Sequence, residues 1–202
     1  TNIYLGNSTS GSTAQSNATL ATSAQIIITG NIKASGNSSV AGILDINDDT
    51  IVNGAIGTSG ASIGRVTIDS NEVLTIKGSI YSSNITLEDA VQAGGGNTTL
   101  AFNGTANTTY IANGIIDGDS AGTGLLSINS GNWTFGSVIG GNEAIAAINI
   151  ADGSEMAIST NISANETITV LGTLDVNGAV TIKTKGLKIG SVTTNGTLET
   201  SN

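Results

Sequence analysis

The sequence predicts an all-β chain, and within that class a right-handed parallel β-solenoid (β-helix) of roughly ten coils, with a β-sandwich as the alternative. Three observations point there. Short bursts of β-branched and aliphatic residues alternate with Gly, Asn and Ser, helical periodicity is almost absent, and the sequence repeats itself at unequal offsets.

The bursts come roughly every eight to twelve residues, the spacing of a sandwich, barrel or solenoid. They include Gln25-Ile26-Ile27-Ile28-Thr29, Ile43-Leu44-Asp45-Ile46, Arg65-Val66-Thr67-Ile68 and Glu72-Val73-Leu74-Thr75-Ile76. Further along come Asn84-Ile85-Thr86-Leu87, Leu125-Leu126-Ser127-Ile128, Ala147-Ile148-Asn149-Ile150 and Thr167-Ile168-Thr169-Val170. Several alternate apolar and polar residues, the period of a strand buried on one face. Only Leu87-Glu88-Asp89-Ala90-Val91-Gln92-Ala93 has a helical pattern, for a turn or two before Gly94-Gly95-Gly96 ends it.

Repetition separates the architectures. Gly42-Ile43-Leu44-Asp45-Ile46-Asn47 returns as Gly124-Leu125-Leu126-Ser127-Ile128-Asn129 and again as Gly172-Thr173-Leu174-Asp175-Val176-Asn177. The first two copies agree downstream as well: Val52, Ile56 and Gly57 match Phe135, Ile139 and Gly140, and Leu74, Ile76 and Ile80 match Met156, Ile158 and Ile162. The copies lie 82 or 83 residues apart, and the third follows after 48. Stacked coils tolerate added or lost coils because each touches only its neighbours, whereas a closed core does not. A chain with no Pro suits internal coils, which need every backbone N–H. The expectation is therefore one repetitive domain over residues 1–202, with repeat copies near 40–87, 122–170 and 172–192. At roughly twenty residues per coil it forms a rod about 50 Å long.

Composition narrows the function. The 202 residues include no Cys and no His, six Lys plus Arg and fifteen Asp plus Glu, for a net charge of −9. Charged residues make up 10% of the chain, against about 25% in an ordinary globular domain. Such a surface is wetted by hydroxyls, amides and backbone. So few cations argue against binding nucleic acid or anionic membrane, and no apolar run is long enough to span a bilayer as a helix. His- or Cys-based nucleophilic sites cannot be assembled, and the carboxylates that a glycosidase needs are scattered. The sequence thus predicts no enzyme, no catalytic residue and no cofactor-binding residue.

Calcium is the one ion the residues invite, because hard cations take several oxygen ligands. Asp45, Asp48 and Asp49, with Asn47, form one oxygen-rich stretch, and Asp117 and Asp119 another. The competing reading is Asp-rich turns whose carboxylates bond local backbone. Asn-x-Ser/Thr occurs eleven times, at Asn7, Asn17, Asn37, Asn84, Asn97, Asn103, Asn107, Asn132, Asn161, Asn165 and Asn195, where chance gives about five or six. The excess is suggestive of N-linked sugar, but turn-favouring Asn and Thr enrich the pair without any sugar, which is the better fit. Trp133 and Phe135, with Tyr4, Tyr81, Phe102 and Tyr110, invite either a sugar platform or, as the better fit, core packing. Lys183, Lys185 and Lys188 hold half of all cations, an arrangement that guards a strand edge or meets an acidic partner.

The segment Ile116-Asp117-Gly118-Asp119-Ser120-Ala121-Gly122-Thr123-Gly124-Leu125-Leu126-Ser127-Ile128-Asn129 resembles repeats in the passenger regions of rickettsial surface-antigen autotransporters. The likeness continues through Trp133-Thr134-Phe135-Gly136-Ser137-Val138-Ile139-Gly140-Gly141-Asn142 to Ile145-Ala146-Ala147-Ile148-Asn149-Ile150, with a looser copy in residues 40–80 and a fragment in 172–182. The resemblance covers about half the chain. It implies an exported passenger, a parallel β-helix placed outside the cell or on its outer surface, with a coating or adhesive role and a host or surface receptor as partner. The alternative is a subunit of a self-assembling extracellular filament or surface layer. Neither Asn2-Ile3-Tyr4-Leu5-Gly6 nor Gly196-Thr197-Leu198-Glu199-Thr200 reads as a polar cap, so self-association through terminal strands is expected.

Overall fold

The computed structural model describes residues 2–5, 18–35, 40–88, 98–190 and 197–201, with backbone alone at 40, 41 and 197–201. The chain winds as a β-solenoid of about seven turns, each with three strand positions on three faces. Among the described residues there are twenty-one strands and no helix. The helical pattern at 87–93 begins on a strand residue, Leu87, and its remainder from Asp89 lies outside the described residues.

Face 2 is the most regular. It stacks β3 (Ile26–Ile28), β6 (Thr50–Val52), β8 (Val73–Ile76), β10 (Thr99–Asn103), β12 (Thr123–Ser130), β14 (Ile145–Ile150), β17 (Thr167–Val170) and β20 (Gly186–Ile189), all parallel. Face 1 stacks β2 (Thr19–Thr22), β5 (Val40–Ile46), β7 (Ser62–Ile68), β9 (Ile80–Leu87) and β11 (Thr109–Gly118). It continues through a single bridge at Ile139 to β16 (Ile162–Ser163) and β19 (Ile182–Lys183). Face 3 begins with β1 (Asn2–Leu5) and β4 (Asn31–Ala34) and continues through a bridge at Ile56. It then takes in the first halves of β9 and β11, followed by β13 (Asn132–Phe135), β15 (Glu155–Ile158), β18 (Thr173–Asn177) and β21 (Thr197–Ser201). Strands β9 and β11 bend from face 3 to face 1, which joins the two into one nine-stranded sheet. The sandwich alternative is excluded, since among the described residues every strand pair is parallel and the one antiparallel bridge, Thr58–Ala61, closes a corner turn.

The core is a set of in-register ladders. On face 2, Ile28, Val52, Ile76, Phe102, Ile128, Ile150 and Val170 stack one above another and are buried, with Ile189 next in register. Successive members are 24, 24, 26, 26, 22, 20 and 19 residues apart. The expected ten coils of roughly twenty residues are corrected to about seven turns, because three strands with their corners take up to 26 residues to close one turn. At about 4.8 Å per rung, the first and last rungs of face 2 lie about 34 Å apart.

The registers also correct how the repeats relate. Leu44 lies on face 1, but its match Leu126 lies on face 2 and the third copy's Leu174 on face 3. Likewise Val52 on face 2 matches Phe135 on face 3, and Ile56 on face 3 matches Ile139 on face 1. The step from Leu44 to Leu126 is thus three turns plus one face, and from Leu126 to Leu174 two turns plus one face. The copies do not stack on each other. The repeating unit is a strand with its corner, and the faces are interchangeable.

Local geometry follows the unit wherever it falls. Gly57 and Gly140 both have φ of 67° and donate their N–H groups to Ile32 and Ile116, at 2.8 and 2.7 Å. A Cβ on either would collide with the carbonyl oxygen of the next turn, at Tyr81 or Ser163. Left-handed backbone and a close approach together require glycine.

Candidate functional site

Among the described residues no cluster of three His, Cys, Asp or Glu side chains is placed to hold a metal ion. Acidic side chains gather at the corner between faces 1 and 2. Each turn from β5–β6 onward presents acid there: Asp48 and Asp49, then Asp69 and Glu72, Glu88, Asp119, Glu143 and Glu166. The column ends at Lys185. Sequence reasoning singled out Asp48, Asp49 and Asp119 but not the column, which appears only once the turn length is known.

The acids are in electrostatic contact. Burial raises the carboxyl pKa of Asp69 above the usual range, and the neighbouring Asp45 raises it further. Glu72 is raised by burial, then by Asp48 and Asp49. Glu88 is raised by burial and by Asp69, Asp119 and Asp45, with Arg65 pulling the other way. Desolvation and like charge both disfavour the ionised form.

The two oxygen-rich stretches are not brought together. Asp45 and Asp117 share an outward column of face 1 but lie three rungs apart, with Thr67 and Thr86 between, about 14 Å at 4.8 Å per rung. The carboxylates of both stretches bond nearby groups. The Asp48 carboxylate accepts from the Asp49 N–H at 2.8 Å, and Asp49 from the Val73 N–H of the next turn at 2.9 Å. Asp117 accepts from the Asn142 backbone N–H at 3.2 Å and side-chain Nδ2 at 2.9 Å. The first of these bonds lies within one corner, and the others tie successive turns together. Behind the acid lies a row of buried hydroxyls, including Thr98, which donates to Glu88 O at 2.7 Å and accepts from Asn71 N at 3.0 Å.

The aromatics mostly point inward. Trp133 is fully buried, donates its indole N–H to Ser130 O at 2.9 Å, and packs against Phe102 and stacked Tyr110 with ring centroids 4.5 and 4.7 Å apart. Phe102 also meets Phe135 edge-on at 5.3 Å. Gly104 admits the Tyr110 ring, which a Cβ there would strike. Tyr4 is exposed and Tyr81 half-buried on face 3, three rungs apart, so they form no common platform.

Six sequons fall within the described residues. Asn84, Asn107, Asn161 and Asn165 are exposed, whereas Asn103 and Asn132 are half-buried. Asn7, Asn17, Asn37, Asn97 and Asn195 lie outside the described residues.

The two end rungs differ. At the amino-terminal end the inward residues are sealed, with Leu5 4%, Thr22 2% and Ile28 8% exposed. On β20, the last described strand of face 2, Leu187 and Ile189 are 41% and 42% exposed, although their partners Ile168 and Val170 are fully buried. Lys183, Lys185 and Lys188 are exposed around this rung.

Comparison with known proteins finds no matching family model, no matching curated protein and no matching solved structure. The likeness to rickettsial passenger repeats rests on the quoted residues alone.

Proposed function

We propose that this chain is a non-catalytic structural rod at the outer cell surface, of the autotransporter-passenger kind, serving as coating or attachment. The observation that carries this reading is the uninterrupted ladder core beneath a surface of hydroxyls and amides. A core that repeats rung after rung makes a stiff spacer, and only 10% charged residues leave its faces weakly polar. Protease treatment and antibody labelling of intact producing cells test it. Labelling without permeabilisation is the expected outcome, and signal that appears only after permeabilisation would sink the reading.

A second reading, a subunit that stacks into filaments or a surface layer, is favoured by the exposed Leu187 and Ile189. Ladder residues in that state suit a further parallel rung, supplied by another copy or by chain beyond Asn202. Electron microscopy and light scattering of the purified chain separate the readings: uniform fibres support stacking, and monodisperse particles at high concentration count against it.

A further inference from the structure

We propose that Asn84, Asn107, Asn161 and Asn165 carry N-linked glycans and that Asn103 and Asn132 do not, an inference that rests on the surface reading above. Asn84 lies on β9 just past the bend from face 3 to face 1, facing out, with Ile85 inward and Thr86 outward beside it. Asn161 immediately precedes β16, with Ile162 buried and Ser163 half-buried beyond it. At Asn84 the strand sets the amide and the hydroxyl two residues on along one outward face, the pair that defines the acceptor.

The two lie in one column of face 1, with Ile115 and Val138 between. Three rungs separate them by about 14 Å, so a sugar on each has room that adjacent rungs would deny. The Asn161 Oδ1 accepts from the exposed Thr181 N–H of the next turn at 2.9 Å, which fixes the amide's oxygen along the column. Asn165 follows at the next corner, and Asn107 sits exposed in the turn before β11 with φ of 59°. By contrast, Asn103 Oδ1 is buried without a partner.

The donor class is a polyprenyl-pyrophosphate-linked oligosaccharide. The Asn Nδ2 attacks the anomeric carbon, a C–N bond forms, and the C–O bond to pyrophosphate breaks. The lipid pyrophosphate departs with the electron pair, and a general base of the transferase takes the amide proton.

The test is peptide mapping by mass spectrometry of the protein isolated from its producing cells, alongside surface proteolysis of those same cells. With six Lys plus Arg, trypsin cuts too rarely, so Glu-specific and elastase digests are used. Glycan-sized mass increments are expected at the four exposed asparagines and not at Asn103 or Asn132. Thr86→Ala is expected to abolish the increment at Asn84 alone, and Thr86→Ser to retain it. A surface-accessible protein whose four peptides are all unmodified would overturn the glycan inference and leave the surface role standing. Equal occupancy at Asn103 and Asn132 would overturn selection by exposure. Protein found only inside the cells would remove the surface reading and the inference together.

Discussion

The corner between faces 1 and 2 and the corner between faces 2 and 3 do the same job in opposite ways. The first is a column of acid over buried hydroxyls, held by side-chain bonds such as Asp49 to Val73 N and Thr98 to Glu88 O. The second is a column of glycine: Gly30, Gly54, Gly78, Gly104 and Gly131 recur turn after turn. A Cβ on Gly54 would collide with Gly30 O, one on Gly78 would stand 2.7 Å from Gly54 O, and one on Gly131 3.1 Å from the Gly104 Cα. One corner keeps its rungs apart with side chains and tolerates like charge. The other closes backbone on backbone at Gly54 and Gly78, a close approach that the acid corner makes at Gly140.

The largest expected effect comes from filling the tight corner. Gly54→Ala and Gly78→Ala each place a methyl against backbone that cannot step aside, so each costs about 3 kcal/mol, at the upper end for overpacking. Gly60→Ala, where a Cβ would meet nothing within 4 Å, changes stability by less than about 0.5 kcal/mol. Urea midpoints of the three variants check this. Equal loss at all three positions would mean that helix-and-sheet propensity, not the close approach, governs the glycine column.

A smaller effect is expected behind the acid. Thr98→Val keeps shape and volume but strands the Asn71 N–H and the Glu88 carbonyl. Leaving such groups unpaired costs roughly 1–2 kcal/mol. Thr98→Ser retains the hydroxyl and is expected to recover most of that loss. If valine is neutral there, the hydroxyl row does not hold this corner.

Much of the fold was legible because strand alternation is local. Leu44, Val66, Ile85 and Ile128 can be assigned inward from neighbours two residues away. What was not legible was which burst lies over which. Register is set by corner length, and corners vary, so the matched copies at Leu44 and Leu126 looked like stacked coils while occupying different faces. The same ignorance hid the acid column, since Asp69, Glu88 and Glu143 are neighbours only after winding. The aromatic cluster was partly legible: Trp133 and Phe135 alternate along one strand, but Phe102 reaches them only through packing across the core.

The smallest expected effect has the opposite sign, which makes it the sharper probe of the acid corner. Asp69, Glu72 and Glu88 all have carboxyl pKa values raised by burial and then by neighbouring carboxylates. The folded state therefore binds protons more tightly than the unfolded chain. Wherever the native state holds more protons, stability falls as pH rises. The stability these groups contribute is fully present below the unfolded carboxyl range and is lost as pH rises through the raised folded values. Acidification from neutrality to about pH 5 is thus expected to raise the urea midpoint slightly, as is added salt at neutral pH, which screens the column. Glu88→Gln removes the charge that faces Asp69, Asp119 and Asp45. It is expected to stabilise the fold at pH 7 by about 0.5 kcal/mol or less, the scale of exposed charge pairs, and to flatten the pH response. Loss of stability on mild acidification would mean that the column is held by compensating bonds to its carboxylates, and the contrast between the two corners would then be one of chemistry alone, with neither under strain.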